Sequence, residues 1–206
     1  SLSPEDYQQL EEGLMLEVSI SRHPSFGRNS PPVAGKLVSI LGQHLEAGLE
    51  IELALRTHQL PHEWPAAVTK EVSQLPNKVE PADLTNRLDL TQLPFITIDG
   101  EDAKDFDDAI YAEITASGSY KLWVAIADVS HYVQPASALD GEAFVRATSV
   151  YFPGRVIPML PEEISNGLCS LQPNQERLVL VAELNISQAG EISRYKFHKS
   201  VITSKA

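Results

Sequence analysis

The residues best suited to chemistry lie in one short segment, 99–108, which holds six carboxylates and a single lysine. Many like charges in so short a segment destabilise a compact fold, and a divalent cation is the usual neutraliser of clustered oxygen donors. Asp105, Asp107 and Asp108, with Asp99 upstream of them, offer ligands that suit Mg²⁺ or Mn²⁺ better than zinc. We therefore expect a metal site here, with a solvated acidic turn as the alternative.

The spacing of these acids limits what such a site would do. An EF-hand loop needs oxygen ligands at its first, third and fifth positions and glycine at its sixth, and counting from Asp99 or from Asp105 does not meet this pattern. Magnesium binds few protein carboxylates and completes its shell with water and substrate phosphates. Two ions about 4 Å apart activate a water and stabilise the leaving oxygen in phosphodiester hydrolysis. This is the reaction class that the residues favour.

Apolar runs on both sides of the acidic segment predict that it lies between strands. Residues 93–98 precede it, and residues 110–115 follow it and form a predicted hairpin with residues 120–126. A second hairpin is predicted from residues 177–186 and 192–202. Because buried strands would hold the carboxylates, the segment is better explained as a site than as a solvated tail.

The part of the chain that precedes the acidic segment has a different pattern of apolar residues. Short apolar runs at 16–20, 33–41 and 51–55, separated by Gly, Pro, Ser and Asn, predict three strands of a small β-barrel or sandwich. A helix is predicted within 66–75, where apolar side chains share one face, and another over 139–147. We therefore expect two units, with the boundary between about residues 60 and 90.

Composition bounds the class of protein. The 206 residues are 43% hydrophobic and 21% charged, which is ordinary for a globular protein able to bury a core. No apolar run has the length of a membrane span, no signal-peptide pattern is present, and the single Cys169 allows no internal disulfide. These features predict a cytoplasmic protein in which Cys169 is a buried apolar side chain. The net charge of −12 argues against a nucleic-acid partner, although bound cations would cancel part of it.

Other candidate residues carry weaker signals. The segment 22–29 contains two arginines and a phenylalanine, a combination that suits contact with single-stranded nucleic acid but is common without it. His58 and His62 are four residues apart, but the intervening proline disfavours a helical metal pair. His131 has no nucleophile placed beside it, which leaves a serine-hydrolase reading unsupported. Tyr151 could stack on a base or pack in an interface.

Five blocks in one order carry a family resemblance. They are residues 98–109, 122–130 (LWVAIADVS), 148–153 (TSVYFP), 156–161 (VIPMLP) and 166–171 (NGLCSL). Together they resemble the ribonuclease II superfamily, which carries the RNB domain, and within it the bacterial ribonuclease R group. Residues 35–68 resemble the second cold-shock domain and the linker of that group. The resemblance extends from about residue 18 to residue 206.

The resemblance implies an α+β, β-rich protein. It places a small OB-type, cold-shock-like β-barrel at 1–60, linker helices at 61–90 and the N-terminal portion of a mixed α/β RNB catalytic domain at 91–206. It also implies processive Mg²⁺-dependent degradation of single-stranded RNA from the 3′ end, releasing nucleoside 5′-monophosphates, with Mn²⁺ as a possible substitute.

The resemblance also assigns residues. The four catalytic and metal-binding aspartates of the family fall on Asp99, Asp105, Asp107 and Asp108, and Tyr151 matches the tyrosine that stacks on a base near the 3′ end. Asp99, Asp105 and Asp108 would chiefly hold metal, and Asp107 would act on the catalytic metal and its water.

Family members are longer than this chain. They carry two cold-shock domains, a longer catalytic domain that later supplies an arginine and a glutamate, and a C-terminal RNA-binding domain. We therefore expect the 206 residues to be a fragment, inactive by itself, with an exposed sheet edge and apolar face. The alternative is a noncatalytic RNA-binding module whose acids bind a structural ion or none.

Overall fold

The computed structural model describes residues 10–23, 32–44 and 46–206. The chain divides into two compact units, Ser1–His62 and Glu63–Ala206. Positions 24–29 of the arginine-containing segment lie outside the described residues, so the nucleic-acid contact predicted there stays a prediction. Within the described part of the chain, no helix is long and apolar enough to cross a membrane.

The described part of the first unit contains two strands and a helix. Strand β1 (Leu14–Arg22) pairs antiparallel with β2 (Ala34–Gln43), which confirms the strands predicted at 16–20 and 33–41. Three register shifts interrupt the pairing. Such irregularities bend and twist a strand pair, as strands that curve into a small barrel require.

Helix α1 (Leu49–Thr57) shows that the strand predicted over 51–55 is wrong. The alternating apolar residues of that run also fit a helix, and charges at its ends favour the helix. Glu50 and Glu52 lie in the first turn and Arg56 in the last, which complements the helix dipole. The Arg56 guanidinium pairs with Glu52 one turn away, and its Nε lies 2.9 Å from Glu17 Oε2 on β1.

The second unit is built on a five-stranded sheet with the order β3-β9-β8-β5-β4. Its strands are β3 (Leu88–Asp89), β4 (Asp108–Ile114), β5 (Tyr120–Ala127), β8 (Glu176–Ile186) and β9 (Ile192–Thr203), and strands β6 (Val150–Phe152) and β7 (Arg155–Ile157) form a separate hairpin. All neighbours in the sheet are antiparallel except β3 and β9, which are parallel. Both predicted hairpins are confirmed. The strand predicted at 93–98 is wrong, since in that range only Phe95 and Ile96 form isolated bridges, to Ser204 and Ile110.

Short helices accompany this sheet. They are α2 (Ala66–Val72), a 3₁₀ turn (Pro81–Leu84), α3 (Val129–Tyr132), α4 (Ala138–Arg146) and a π-helix (Glu163–Leu168). Helices α2 and α4 confirm the helices predicted at 66–75 and 139–147. Val68 of α2 is 1% exposed and belongs to the core of the second unit. From Glu63 onward, the residues predicted as linker helices therefore lie in that unit.

The two faces of the sheet differ in burial. On the core face, Trp123, Val179 and Val181 are buried against the helices. On the opposite face, Ile114 and Phe197 are 73% and 74% exposed, so the predicted exposed apolar face is present.

Candidate active site

The acidic segment forms a loop that leads into β4, whose first residue is Asp108. Asp99 and Asp107 are exposed, and Asp105 is half-buried. The main-chain carbonyl of Asp107 accepts a hydrogen bond of 2.9 Å from the N–H of Ala127, the last residue of β5. The β4–β5 pairing therefore fixes the C-terminal end of the acidic loop.

A buried serine fixes the middle of the same loop. Ser170 is 0% exposed; its Oγ donates to the carbonyl of Lys104 at 2.7 Å and accepts from the N–H of Phe106 at 3.2 Å. The N–H of Leu171 donates to the carbonyl of Phe106 at 2.8 Å. Arg177, also buried, donates from Nε to the carbonyl of Ser170 at 2.8 Å. These contacts hold the acidic loop by its main chain.

The four predicted aspartates influence one another electrostatically. Loss of water from around part of the Asp107 carboxyl raises its pKa, and the negative charges of Asp105, Asp108 and Asp99 raise it further. The structure therefore brings these carboxylates close enough to repel one another around Asp107. A bound cation would relieve this repulsion.

Tyr151, on β6, faces the acidic loop. Its hydroxyl donates to Asp105 Oδ2 at 3.3 Å, while 67% of the residue stays exposed. Desolvation, followed by the charge of Asp105, raises the pKa of Tyr151, so its hydroxyl stays protonated at neutral pH. The sequence did not predict a contact between Tyr151 and the acids, because 46 residues separate Tyr151 from Asp105.

An open pocket of about 540 Å³ lies beside this contact. Its lining combines carboxylates, small polar side chains and apolar side chains: Asp105, Asp107, Ile126, Ala127, Val129, Ala147, Thr148, Ser149, Tyr151, Met159, Leu160, Ser165 and Cys169. Asp99 and Asp108 do not line it. A lining that combines carboxylates with apolar side chains suits a ligand that has both a charged group and a flat ring.

The donor set can be compared with the needs of a divalent cation. Hard carboxylate oxygens fit Mg²⁺ or Mn²⁺, and the mutual repulsion around Asp107 favours a cation. Within the described ranges, however, no three Asp, Glu, His or Cys side chains converge closely enough to hold an ion. The four aspartates therefore fit a metal by their chemistry, and their assignment as its ligands stays a prediction.

An ion pair that the sequence did not predict lies at the end of β5. Asp128 is 2% exposed, and its Oδ2 is 2.6 Å from Arg87 Nη2. Ser130 Oγ donates to the other carboxylate oxygen at 2.8 Å. Burial opposes ionisation of Asp128, but these hydrogen bonds and the Arg87 charge lower its pKa below the ordinary value. His131 Nε2 lies 3.0 Å from Asp83 Oδ1. Asp128 and His131, the two ends of the sequence Asp-Val-Ser-His, therefore each have a structural partner.

Cys169 lies at the inner wall of the pocket and is 3% exposed. Burial raises the pKa of its thiol to about 12, and the charges of Asp107 and Asp128 contribute to the increase. The side chain is therefore a neutral thiol, in agreement with the predicted buried apolar role.

Comparison with known proteins identifies the two parts of the chain. The family model described as RNB domain matches residues 87–206, and the one described as cold shock domain matches residues 1–65. The second match supports the OB-type fold predicted for the first unit.

Curated relatives extend the comparison. Ribonuclease R of Vibrio parahaemolyticus serotype O3:K6 is 52% identical over 180 residues, covering 87% of this chain and 22% of that protein. Ribonuclease R of Escherichia coli strain K12 is 46% identical over 205 residues, covering 100% of this chain and 25% of that protein. The chain thus spans about a quarter of the length of these relatives.

Solved structures agree with this fold. Mycoplasma genitalium RNase R in complex with double-stranded RNA aligns with a TM-score of 0.86 at 32% identity, covering 100% of this chain and 36% of that chain. Yeast Ssd1, described as a pseudonuclease, aligns with a TM-score of 0.69 at 22% identity, covering 98% of this chain and 26% of that chain. Since a pseudonuclease shares the fold, activity must be argued from the site. The match over residues 87–206 shows that the chain belongs to the RNB domain family.

Proposed function

We propose that this chain carries the acidic half of the active site of a 3′ to 5′ exoribonuclease. The observation that supports it most directly is the joining of Tyr151 to Asp105 at one edge of a pocket that Asp107 also lines. The pocket, at about 540 Å³, has the size of sites that enclose one small ligand such as a nucleotide. Over the aligned 180 and 205 residues, the two Ribonuclease R relatives described above are 52% and 46% identical to this chain.

In this proposal the four aspartates hold Mg²⁺, or Mn²⁺ in its place. The cation would supply an activated water and charge stabilisation at the phosphodiester undergoing cleavage. Asp107, on which the charges of the other three aspartates act, would hold the water-activating position, and Asp99, Asp105 and Asp108 would neutralise the cation. Desolvation and the negative charges of its neighbours raise the pKa of Asp107, and binding of a cation would lower it again.

Tyr151 positions the nucleotide. Its hydroxyl is held by Asp105, and its exposed ring is free to stack on a base at the 3′ end of single-stranded RNA. Stacking at this position would set the terminal phosphodiester against the aspartates, so that hydrolysis releases nucleoside 5′-monophosphates one after another. A cytoplasmic location belongs to the same proposal, since a free buried Cys169 fits a reducing compartment.

The test is Asp107→Asn in the natural protein that carries this sequence, assayed on 5′-labelled single-stranded RNA with Mg²⁺. We expect a loss of degradation of about 10³-fold or more, because the change removes charge at the reacting centre. Asp102→Asn is the matched control, since Asp102 lies in the same loop and is exposed. Equal rates for Asp107→Asn and the unmodified protein would refute the catalytic assignment.

For the 206 residues alone we propose weak Mg²⁺ or Mn²⁺ binding and little RNA degradation. This follows from the described residues, which place no three metal-binding side chains together. The second candidate function, a noncatalytic RNA-binding module, is favoured by the same observation. Full-length protein that binds RNA but does not degrade it at any Mg²⁺ or Mn²⁺ concentration would decide for that module.

A further inference from the structure

A second polar groove lies on the core face of the sheet, at the far end of β5 from the acidic loop. The strand register places Asn185 opposite Lys121 and Arg194, and Glu183 opposite Lys196. The groove encloses about 270 Å³ and is lined by these five residues together with Thr115 and Tyr195. Lys121 lies six positions before Ala127 on β5, which corresponds to about 20 Å along an extended strand.

Glu183, the carboxylate among the residues that line this groove, is already neutralised. Lys121 Nζ lies 2.7 Å from Glu183 Oε1, and His198 Nε2 lies 2.9 Å from Glu183 Oε2. Lys121 Nζ also lies 4.5 Å from the ring centroid of the buried Trp123. These contacts fix Lys121 and leave neither carboxylate oxygen of Glu183 without a donor.

Two further positively charged side chains line the groove and have no carboxylate partner within the described part of the chain. Arg194 and Lys196 are exposed, and neither forms an ion pair within the described part of the chain. They are two residues apart on β9, so both side chains point to the same face of the sheet. In a chain of net charge −12, an excess of positive charge gathered in one groove favours a bound anion.

We propose that this groove binds a phosphate group of single-stranded RNA, at a subsite about 20 Å from the acidic loop. Arg194 offers a planar fork of N–H donors, which matches the oxygens of a phosphate, and Lys196 adds a point charge beside it. The side-chain amide of Asn185 supplies a further donor. The volume is smaller than that of pockets for drug-sized molecules, so one phosphate and its sugar fill it.

This inference depends on the proposed RNA substrate and is independent of the proposed hydrolysis. The test therefore measures binding of a fluorescein-labelled oligoadenylate to the full-length protein in EDTA, where metal-dependent cleavage does not occur. We expect the double variant Arg194→Ala/Lys196→Ala to bind about tenfold more weakly at low salt. Its salt dependence should fall by about 0.7 in slope, corresponding to one single-strand phosphate contact.

A charge-matched control separates a site from general attraction. Lys70→Ala/Lys78→Ala removes two exposed positive charges elsewhere in the second unit, and we expect a less than about twofold change in affinity. Equal weakening by the two double variants would overturn the site, because only net charge would then matter. Thermal unfolding of both variants checks that each is folded.

A second measurement locates the ligand and identifies its source. In ¹⁵N-labelled protein, amide resonances of residues 121, 183–185 and 194–196 should shift on titration with the oligonucleotide and lose this response in Arg194→Ala/Lys196→Ala. Inorganic phosphate titrated in the same way tests a free anion as the source. Shifts with RNA, with or without phosphate, support the proposal. Shifts with phosphate alone overturn RNA as the ligand, and no shift with either overturns the groove as a site.

Discussion

Replacement of Ser170 by alanine tests how the acidic loop is held. The Ser170 hydroxyl is fully buried and makes two hydrogen bonds to the loop, one to the Lys104 carbonyl at 2.7 Å and one from the Phe106 N–H at 3.2 Å. Each such bond stabilises a fold by about 1 kcal/mol net, and a buried group left without a partner costs about 1–3 kcal/mol. We expect Ser170→Ala to lower the free energy of unfolding by about 2–4 kcal/mol.

Two measurements on the same variant separate a local from a global effect. Urea unfolding followed by circular dichroism gives the loss of stability. Native-state hydrogen exchange at the Phe106 amide gives the local effect, because Ser170 Oγ is the acceptor for that N–H. We expect Phe106 to exchange faster in the variant by a larger factor than amides of the central strand β8.

Ser200 provides the matched control. It is 0% exposed in the same unit, and its hydroxyl has no hydrogen-bond partner within the described residues. Ser200→Ala removes a buried polar group that makes no bond, so it should be neutral or stabilising by up to about 1 kcal/mol. If both variants change stability equally and Phe106 exchange is unaffected, Ser170 does not anchor the loop and the reasoning is refuted.

Three further predictions concern side chains around the pocket. Tyr151→Ala should weaken oligoadenylate binding in EDTA by about 1–3 kcal/mol through loss of stacking, whereas Tyr151→Phe, which keeps the ring, should change it by less than about 1 kcal/mol in a fluorescence titration. Asp128 has a lowered folded-state pKa, so its stabilisation is complete above its unfolded value near 3.9 and is lost as pH falls through the folded value. At pH 7, Asp128→Asn should therefore lower the free energy of unfolding by about 3–5 kcal/mol, because the Arg87 charge stays buried without its partner. This difference in unfolding free energy from the unmodified protein, measured by urea denaturation, should become smaller below about pH 4. An unchanged gap between pH 7 and pH 3 would contradict the assigned ion pair. Cys169, with a pKa of about 12, should not react with Ellman's reagent at pH 8 until urea unfolds the chain, and rapid reaction of folded protein would show that the thiol is accessible.

The sheet explains why the acidic loop has a defined conformation. Its C-terminal end is held by β4 and β5, and its middle is held by Ser170, which precedes β8. Arg177 of β8 donates to the carbonyl of Ser170, and β5 and β8 are neighbours in the sheet, so both anchors of the loop are tied to the same sheet. A substitution that disturbs this pairing would move the carboxylates without changing any of them.

Much of the local structure was predictable because its signals are local. The two hairpins of the second unit have apolar runs of strand length around turns with glycine, and both are observed. The run 51–55 was misassigned because its five residues fit the period of a helix as well as that of a strand. The helix is favoured by the ion pairs of Arg56 with Glu52, one turn away, and with Glu17 on another element. The apolar pattern of so short a run does not show which residues will form these ion pairs.

The sequence by itself determined the chemistry available to this protein. It placed Asp99, Asp105, Asp107 and Asp108 in one ten-residue segment, and so determined which oxygen donors a cation would find. Covalent proximity is enough for this, since residues a few positions apart remain neighbours in any fold.

Only the tertiary structure decided what those aspartates meet. Tyr151 reaches Asp105 across 46 residues, Ser170 reaches Lys104 across 66, and Arg87 reaches Asp128 across 41. The same sheet brings Lys121 and Arg194 to one groove from different strands. Contacts of this kind depend on strand order and register, which follow from how the whole chain buries its apolar surface.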